Sequence, residues 1–277
     1  SAIPELRQPF AGLFNEELSF DEAANKLDNI IDDVSVRERL IRQRANLSEI
    51  AKVELTSTLP DIDKFPLVVA PPRAGDTVVA ELFVSTEKSG ADADGWLREA
   101  ATAFNSKNVR IPSGAGARIA VRKIASGTGY QFIASGKHRP DGFSPSNHLW
   151  IQMASAHGVR MEPIRERLVS NPAGVVMKTE VGQRLTTKYG NLSIPTLIDA
   201  VVQGDLVMGY TNPFASSTGL NFLVTVLATF ANNDSSQMLS GAVTSAFESF
   251  QRGVPFVALT TLQMRESVQK DGSLDAF

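Results

Sequence analysis

The 277-residue chain contains no cysteine. Thiolate nucleophiles, disulfides and cysteine-ligated zinc are excluded together, while the redox compartment stays open. Histidine is nearly as scarce: His138, His148 and His157 are the only 3, and none stands at the i, i+4 spacing of a helical zinc site. Neither sign of charge dominates. A net charge of -3 argues against a general nucleic-acid binder, which carries a basic excess. The longest apolar stretch, roughly Leu220 to Phe230, falls well short of the ~20 residues a membrane span needs. Ser1-Ala2-Ile3-Pro4 lacks the basic start and apolar core of a secretion signal.

Familiar chemical signatures are missing too. A P-loop around Gly136-Lys137 would need glycine where Gln131 stands, and His138 follows the lysine. A dinucleotide fingerprint from Gly127 and Gly129 would need glycine at Phe132. Gly142-Phe143-Ser144-Pro145-Ser146 approaches a nucleophile elbow, without its second glycine and with proline beside the serine. Asp92-Ala93-Asp94-Gly95 puts Trp96 where a calcium loop needs its third oxygen ligand. No paired carboxylates mark the strand ends. No metal or other cofactor is expected. Ser85-Thr86-Glu87-Lys88 does match the Ser-x-x-Lys start of the penicillin-binding signature, but its Lys-Thr-Gly partner occurs only as Lys178-Thr179-Glu180. A serine acyl enzyme using Ser85 and Lys88 is therefore a rival reading, carried by a short and common pattern.

What is present is an alternation. The length suits two lobes. Residues 1–72 form an N-terminal extension: two capping boxes, at Ser19 and Ser35, open apolar stripes of helical period, and Leu59–Pro66 with Pro71-Pro72 reads as a linker. Arg37, Arg39, Arg42 and Arg44 there read as a solvated helix face, since acidic residues surround them. Thr77–Val84, Ala117–Ile124 and Asp141–Phe143 then read as strands, each followed by a hydroxyl-rich turn and a helix. That order predicts a mainly parallel sheet with right-handed crossovers, so the turns converge on one edge. Further on come a strand at Ala173–Met177, helices over Val181–Tyr189 and Ile194–Val202, and a buried strand at Leu206-Val207-Met208. The turn Gly209–Gly219 feeds a helix over Thr218–Phe230. A helix at Ser236–Phe250, a strand at Val254–Leu259 and a helix at Leu262–Val268 complete a second lobe. Lobe boundaries are expected at 73–168 and 169–277.

The strand ends carry hydroxyl, amide, glycine and lysine groups, with no evident nucleophile, base or metal cage. Serines that merely cap helices would account for one residue per turn, and each turn here carries two or three. Such lining suits the recognition of a small polar or anionic solute without transforming it. A helix N-terminus also favours a negative group.

At Phe83–Lys88, Ile124–Gly129, Asp141–Asn147 and Gly209–Gly219 the chain resembles the bacterial extracellular solute-binding proteins of the type II periplasmic binding protein superfamily. It is most similar to a branch in which this module precedes a von Willebrand factor A domain. The resemblance runs from about Val78 to the C-terminus, and its most specific part is Asn212–Gly219. It implies two α/β lobes, a non-enzymatic binding role, and closure on a solute by hinge motion. Ser85, Thr86, Ser126, Gly127, Thr128, Ser144, Ser146 and Asn147 would line one lobe. Asn212, Ser216, Ser217, Thr218 and Gly219 would line the other, with Arg167–Pro172 crossing between them. A complete member returns to its first lobe, so the second lobe or hinge is expected to be cut short. No Asp-x-Ser-x-Ser motif is present, so the von Willebrand domain is expected elsewhere in a longer protein. An extracytoplasmic location, anchoring through segments absent from this chain and a membrane transporter or surface partner follow as expectations. A structural or adhesive module with a vestigial cleft is the second rival.

Overall fold

The computed structural model describes residues 59–71, 75, 77–169, 172–258, 260–271 and 274–277. The helices expected before residue 52 lie outside the described residues.

The first lobe is built on a four-stranded sheet. Its strands are β1 (Leu67–Val69), β2 (Thr77–Val84), β3 (Gly116–Lys123) and β4 (Gly142–Ser144), in the order β1-β3-β2-β4. β2 and β3 run parallel from Thr77 opposite Gly116 to Val84 opposite Lys123, and β4 pairs parallel with the other side of β2. β1 is the antiparallel edge. It lies within the stretch read as linker from the sequence, so that reading is corrected: Pro66 and Pro71 bound a short edge strand, a place where a missing N–H is tolerated.

Each parallel strand feeds a helix: α1 (Thr86–Ser89), then α2 (Trp96–Ser106), after β2, α3 (Ser126–Ser135) after β3 and α4 (Leu149–Ala156) after β4. Covered on both faces, the central strands bury residues in succession, as parallel strands do. Val84 and Val121 pack with Ala101 and Leu97 of α2 on one side. Phe83 packs with Phe132 and Ile133 of α3 on the other.

One polar network is built into this lobe. Glu81 on β2 accepts from Arg122 Nε on β3 at 2.5 Å and lies 2.7 Å from His138 Nε2. His138 in turn stacks on the Phe83 ring at 5.3 Å. Burial pushes the Glu81 carboxyl up, but its hydrogen bonds from Arg122 and His138, with their charges, outweigh this and hold it below its ordinary 4.5. A carboxylate held low in the folded state adds stability that is present above its unfolded value and is lost as pH falls through the folded one. Glu81→Gln is therefore expected to lose roughly 2 kcal/mol at neutral pH, because the buried Arg122 keeps its charge without its partner. Urea midpoints check this: the gap between wild type and Glu81→Gln should close as the solution is taken below about pH 4.

Residues 159–176 lead into the second lobe. The expected crossing segment 167–172 lies inside this stretch, with 170 and 171 outside the described residues. There follow α5 (Thr179–Tyr189), α6 (Ile194–Val202), β5 (Gly209–Thr211), α7 (Ser217–Phe230), α8 (Gly241–Arg252), β6 (Phe256–Ala258) and α9 (Thr261–Asp271). Ser193 and Pro195 start α6, the serine accepting from Thr196 N and the proline fixing the first turn. β5 and β6 pair in parallel. The last residues join them: Gly209 N donates to Ala276 O at 3.1 Å, and Val176 and Phe277 exchange both backbone bonds at 2.9 Å. Asp275–Phe277 therefore sits between Val176–Lys178 and β5. The strand expected at Ala173–Met177 is corrected to a single bridge, Met177 to Ala276. The strand expected at Leu206–Met208 is corrected to Gly209–Thr211. Leu206 and Met208 are buried, and among the described residues this segment pairs only through the parallel bridge of Met208 to Ala276, one residue ahead of the β5 ladder.

Candidate functional site

The turns after β2, β3, β4 and β5 meet one another. Ser85 Oγ lies 2.7 Å from Ser146 Oγ. Ser146 N donates to Ser126 Oγ at 3.2 Å, and Ser146 Oγ reaches Glu87 Oε2 at 3.3 Å. The turns of the two lobes touch directly: Gly127 N, in the first turn of α3, donates to Ala215 O at 2.7 Å. Beside this contact Trp150 Nε1 donates to Ser217 Oγ at 2.9 Å. Asn147 Nδ2 donates to Asn221 Oδ1 at 2.5 Å, and its own Oδ1 accepts from Leu149 N at 2.8 Å just ahead of α4. Arg265 on α9 also pairs with Asp94 of the first lobe.

Between the lobes lies a cleft of about 2670 Å³. Small-molecule pockets occupy roughly 300–1,000 Å³, so the cleft has more room than one small solute fills. Of the residues expected to line it, Ser144, Ser146, Asn147 and Thr218 do so. Ser85, Thr86, Ser126, Thr128, Ser216 and Ser217 are buried and do not line it, nor do Gly127, Asn212 and Gly219. Several of these form the joint that brings the lining turns together. Asn212 shapes its own turn, its Oδ1 accepting from Phe214 N at 2.8 Å and its O from Ser216 N at 2.8 Å. Ser216, the N-cap of α7, makes no capping bond. Its hydroxyl and that of Thr211 are buried without a hydrogen-bond partner.

Lining residues outside the expected set include Lys88, Tyr210, Thr211, Asn221 and Thr261. Thr261 follows β6 and lies 3.0 Å, hydroxyl to hydroxyl, from Thr218; the repeated strand–hydroxyl turn–helix order was the signal that could have found it. Tyr210 is carried by β5, and burial pushes its hydroxyl up to about 12. Lys88 stands in the sequence both as the strand-end lysine and as the end of Ser-x-x-Lys. Its ammonium turns away from that pattern, donating to Ser144 O at 2.8 Å, Ser144 Oγ at 2.8 Å and Pro145 O at 3.0 Å. Burial pushes it down to about 8, with the nearby Glu87 charge opposing. Among the described residues no cluster of His, Asp and Glu could hold a metal ion.

A family model described as bacterial extracellular solute-binding protein matches residues 89–270. The chain belongs to that family. The family is described by solute binding, not catalysis, and Ser85 and Lys88, the residues of the acyl-enzyme reading, spend their bonds on the turn after β4. A solved structure titled periplasmic thiamin binding protein shares 14% identity, with a TM-score of 0.49 over 75% of this chain. This solute-binding protein spans 63% of the length of that chain. No curated protein sequence matches it.

Proposed function

We propose that this member of the family is an extracytoplasmic module that holds a small polar or anionic solute in the cleft between its lobes. One observation carries the reading: the strand-end turns of both lobes converge on a single gap and present to it hydroxyls and amides from Ser144, Ser146, Asn147, Thr218 and Asn221. Neutral hydrogen-bonding groups of this kind fix a polar solute in place without transforming it. The resemblance to the branch fused to a von Willebrand factor A domain adds that the module serves within a longer surface or transport-associated protein. Anchoring through segments outside this chain, and a membrane transporter or surface partner, belong to the same proposal.

Thermal unfolding of the chain against oxyanions, sugars and amino acids tests it. A solute present at about one hundred times its Kd adds roughly 2.7 kcal/mol, which raises the midpoint of a domain this size by roughly 5–10 °C. A flat response to every member of all three classes would contradict the reading.

A further inference from the structure

We propose that Lys88 is the specificity-determining residue of the cleft: its ammonium fixes the Ser144–Asn147 turn and biases the site toward solutes that carry a negative charge. This rests on the cleft being the solute site. Charged side chains on its walls include arginines and carboxylates of residues 160–167, which are exposed to water and screened by it, and Glu87 and Asp94, which are half-buried. Lys88 differs from them. It is 8% exposed, and it is the one buried charged side chain among the described lining residues. No carboxylate lies within ion-pairing distance of it among the described residues, and its three hydrogen bonds all go to uncharged oxygens of Ser144 and Pro145. The ammonium is therefore hydrogen-bonded but its charge is not neutralised by direct contact. Glu87 acts on this charge from a distance without touching it, so part of the desolvation cost of the buried ammonium is left for an arriving anion to relieve.

The same bonds make it a positioning residue. Lys88 clamps both the carbonyl and the hydroxyl of Ser144, and the turn it clamps presents Ser146 and Asn147 to the cleft. Other charged groups on and around its helix are Glu87 on α1 itself, Asp94 in the turn before α2, Arg98 and Glu99 on α2, Lys123 at the end of β3, and Arg265 and Glu266 on α9. Asp141 and His148 flank the clamped turn. Because burial holds Lys88 near 8, its charge is present at neutral pH and fades in mild alkali.

The test measures the affinity of the full chain for sulfate, acetate, glucose, glycine and thiamin by calorimetry. Sulfate remains a dianion from neutral to strongly alkaline pH, so its own charge stays constant. Wild type is expected to favour sulfate or acetate, and to lose roughly tenfold in affinity for that anion as pH rises from about 7 to about 10. Lys88→Met is expected to lose roughly the same tenfold at pH 7 and to flatten the pH series, which separates Lys88 from Lys123 and His148. Lys88→Arg should keep the preference for anions. If Lys88→Met does not fold, the wild-type pH series decides alone, and a flat series overturns the proposal. Preference for glucose or thiamin over the anions overturns it while leaving the cleft as a solute site. A wild type that binds no member of the panel contradicts the solute-binding reading itself.

Discussion

Replacing Gly219 with alanine is expected to destabilise the second lobe by roughly 3 kcal/mol. A Cβ placed there would lie 2.0 Å from Thr211 O, 2.7 Å from Thr211 C and 2.8 Å from Asn212 C. All three are backbone atoms, so no side-chain rotation relieves the clash. β5 would have to move away from α7, yet β5 is held by β6 on one side and by Ala276 on the other. The glycine thus does in the second lobe what no larger residue can: it lets the first turn of α7 lie against the strand that precedes it. Gly241 at the start of α8 is the control, since nothing lies within 4 Å of an added Cβ there. Alanine at that position is expected to be neutral or to stabilise slightly, by up to about 1 kcal/mol. Urea midpoints separate the cases, and equal midpoints for the two variants would contradict the packing described for α7.

Gly127→Ala is expected to have the second large effect, of a different kind. Its added Cβ would lie 2.0 Å from Phe214 O and 2.8 Å from Ala215 Cα, atoms of the opposite lobe. The strain therefore acts on the joint between lobes and not on either core. The Gly127–Ala215 hydrogen bond is expected to break, and Ser217 to draw away from Trp150. Trp150 is 2% exposed, so its fluorescence should shift to the red while the helix signal in circular dichroism is kept. A radius of gyration that rises with that shift supports a joint. An unchanged radius with lost helix signal would mean that Gly127 serves the first lobe's interior instead.

These two glycines show where sequence reading reaches and where it stops. The order of strand, hydroxyl-rich turn and helix located β2, β3 and β4 with the helices that follow them, because each unit carries its own apolar period and its own cap. It also places Ser85, Ser126 and Ser146 on one edge of the sheet, where hydrogen bonds join them. Depth was not legible. Ser126 and Ser217 look the same in sequence as Ser144 and Thr218, but the first pair is buried in the joint and the second pair lines the cleft. That difference is set by how the lobes dock, which no local pattern encodes. The bounds of β5 were missed for a related reason: Leu206-Val207-Met208 is as apolar as a strand but pairs only at Met208, while the strand is Gly209–Thr211, held by β6 and by Ala276. Likewise Asp275–Phe277 carries too short a pattern to announce a strand, and its place follows only from its neighbours. Lys88 was legible as a strand-end lysine, but neither its place nor the Ser-x-x-Lys pattern announces its bonds to Ser144.

Calorimetric titration of wild type and of Ser146→Trp, which fills the cleft from its first-lobe wall, tests most directly that the gap between the lobes holds the solute. Run with oxyanions, sugars and amino acids, wild type is predicted to give saturable, one-to-one heat with at least one of them, and Ser146→Trp is predicted to lose it while keeping the wild-type circular dichroism. Undiminished heat in the folded Ser146→Trp protein would contradict the account, because the solute would then be held somewhere other than the gap.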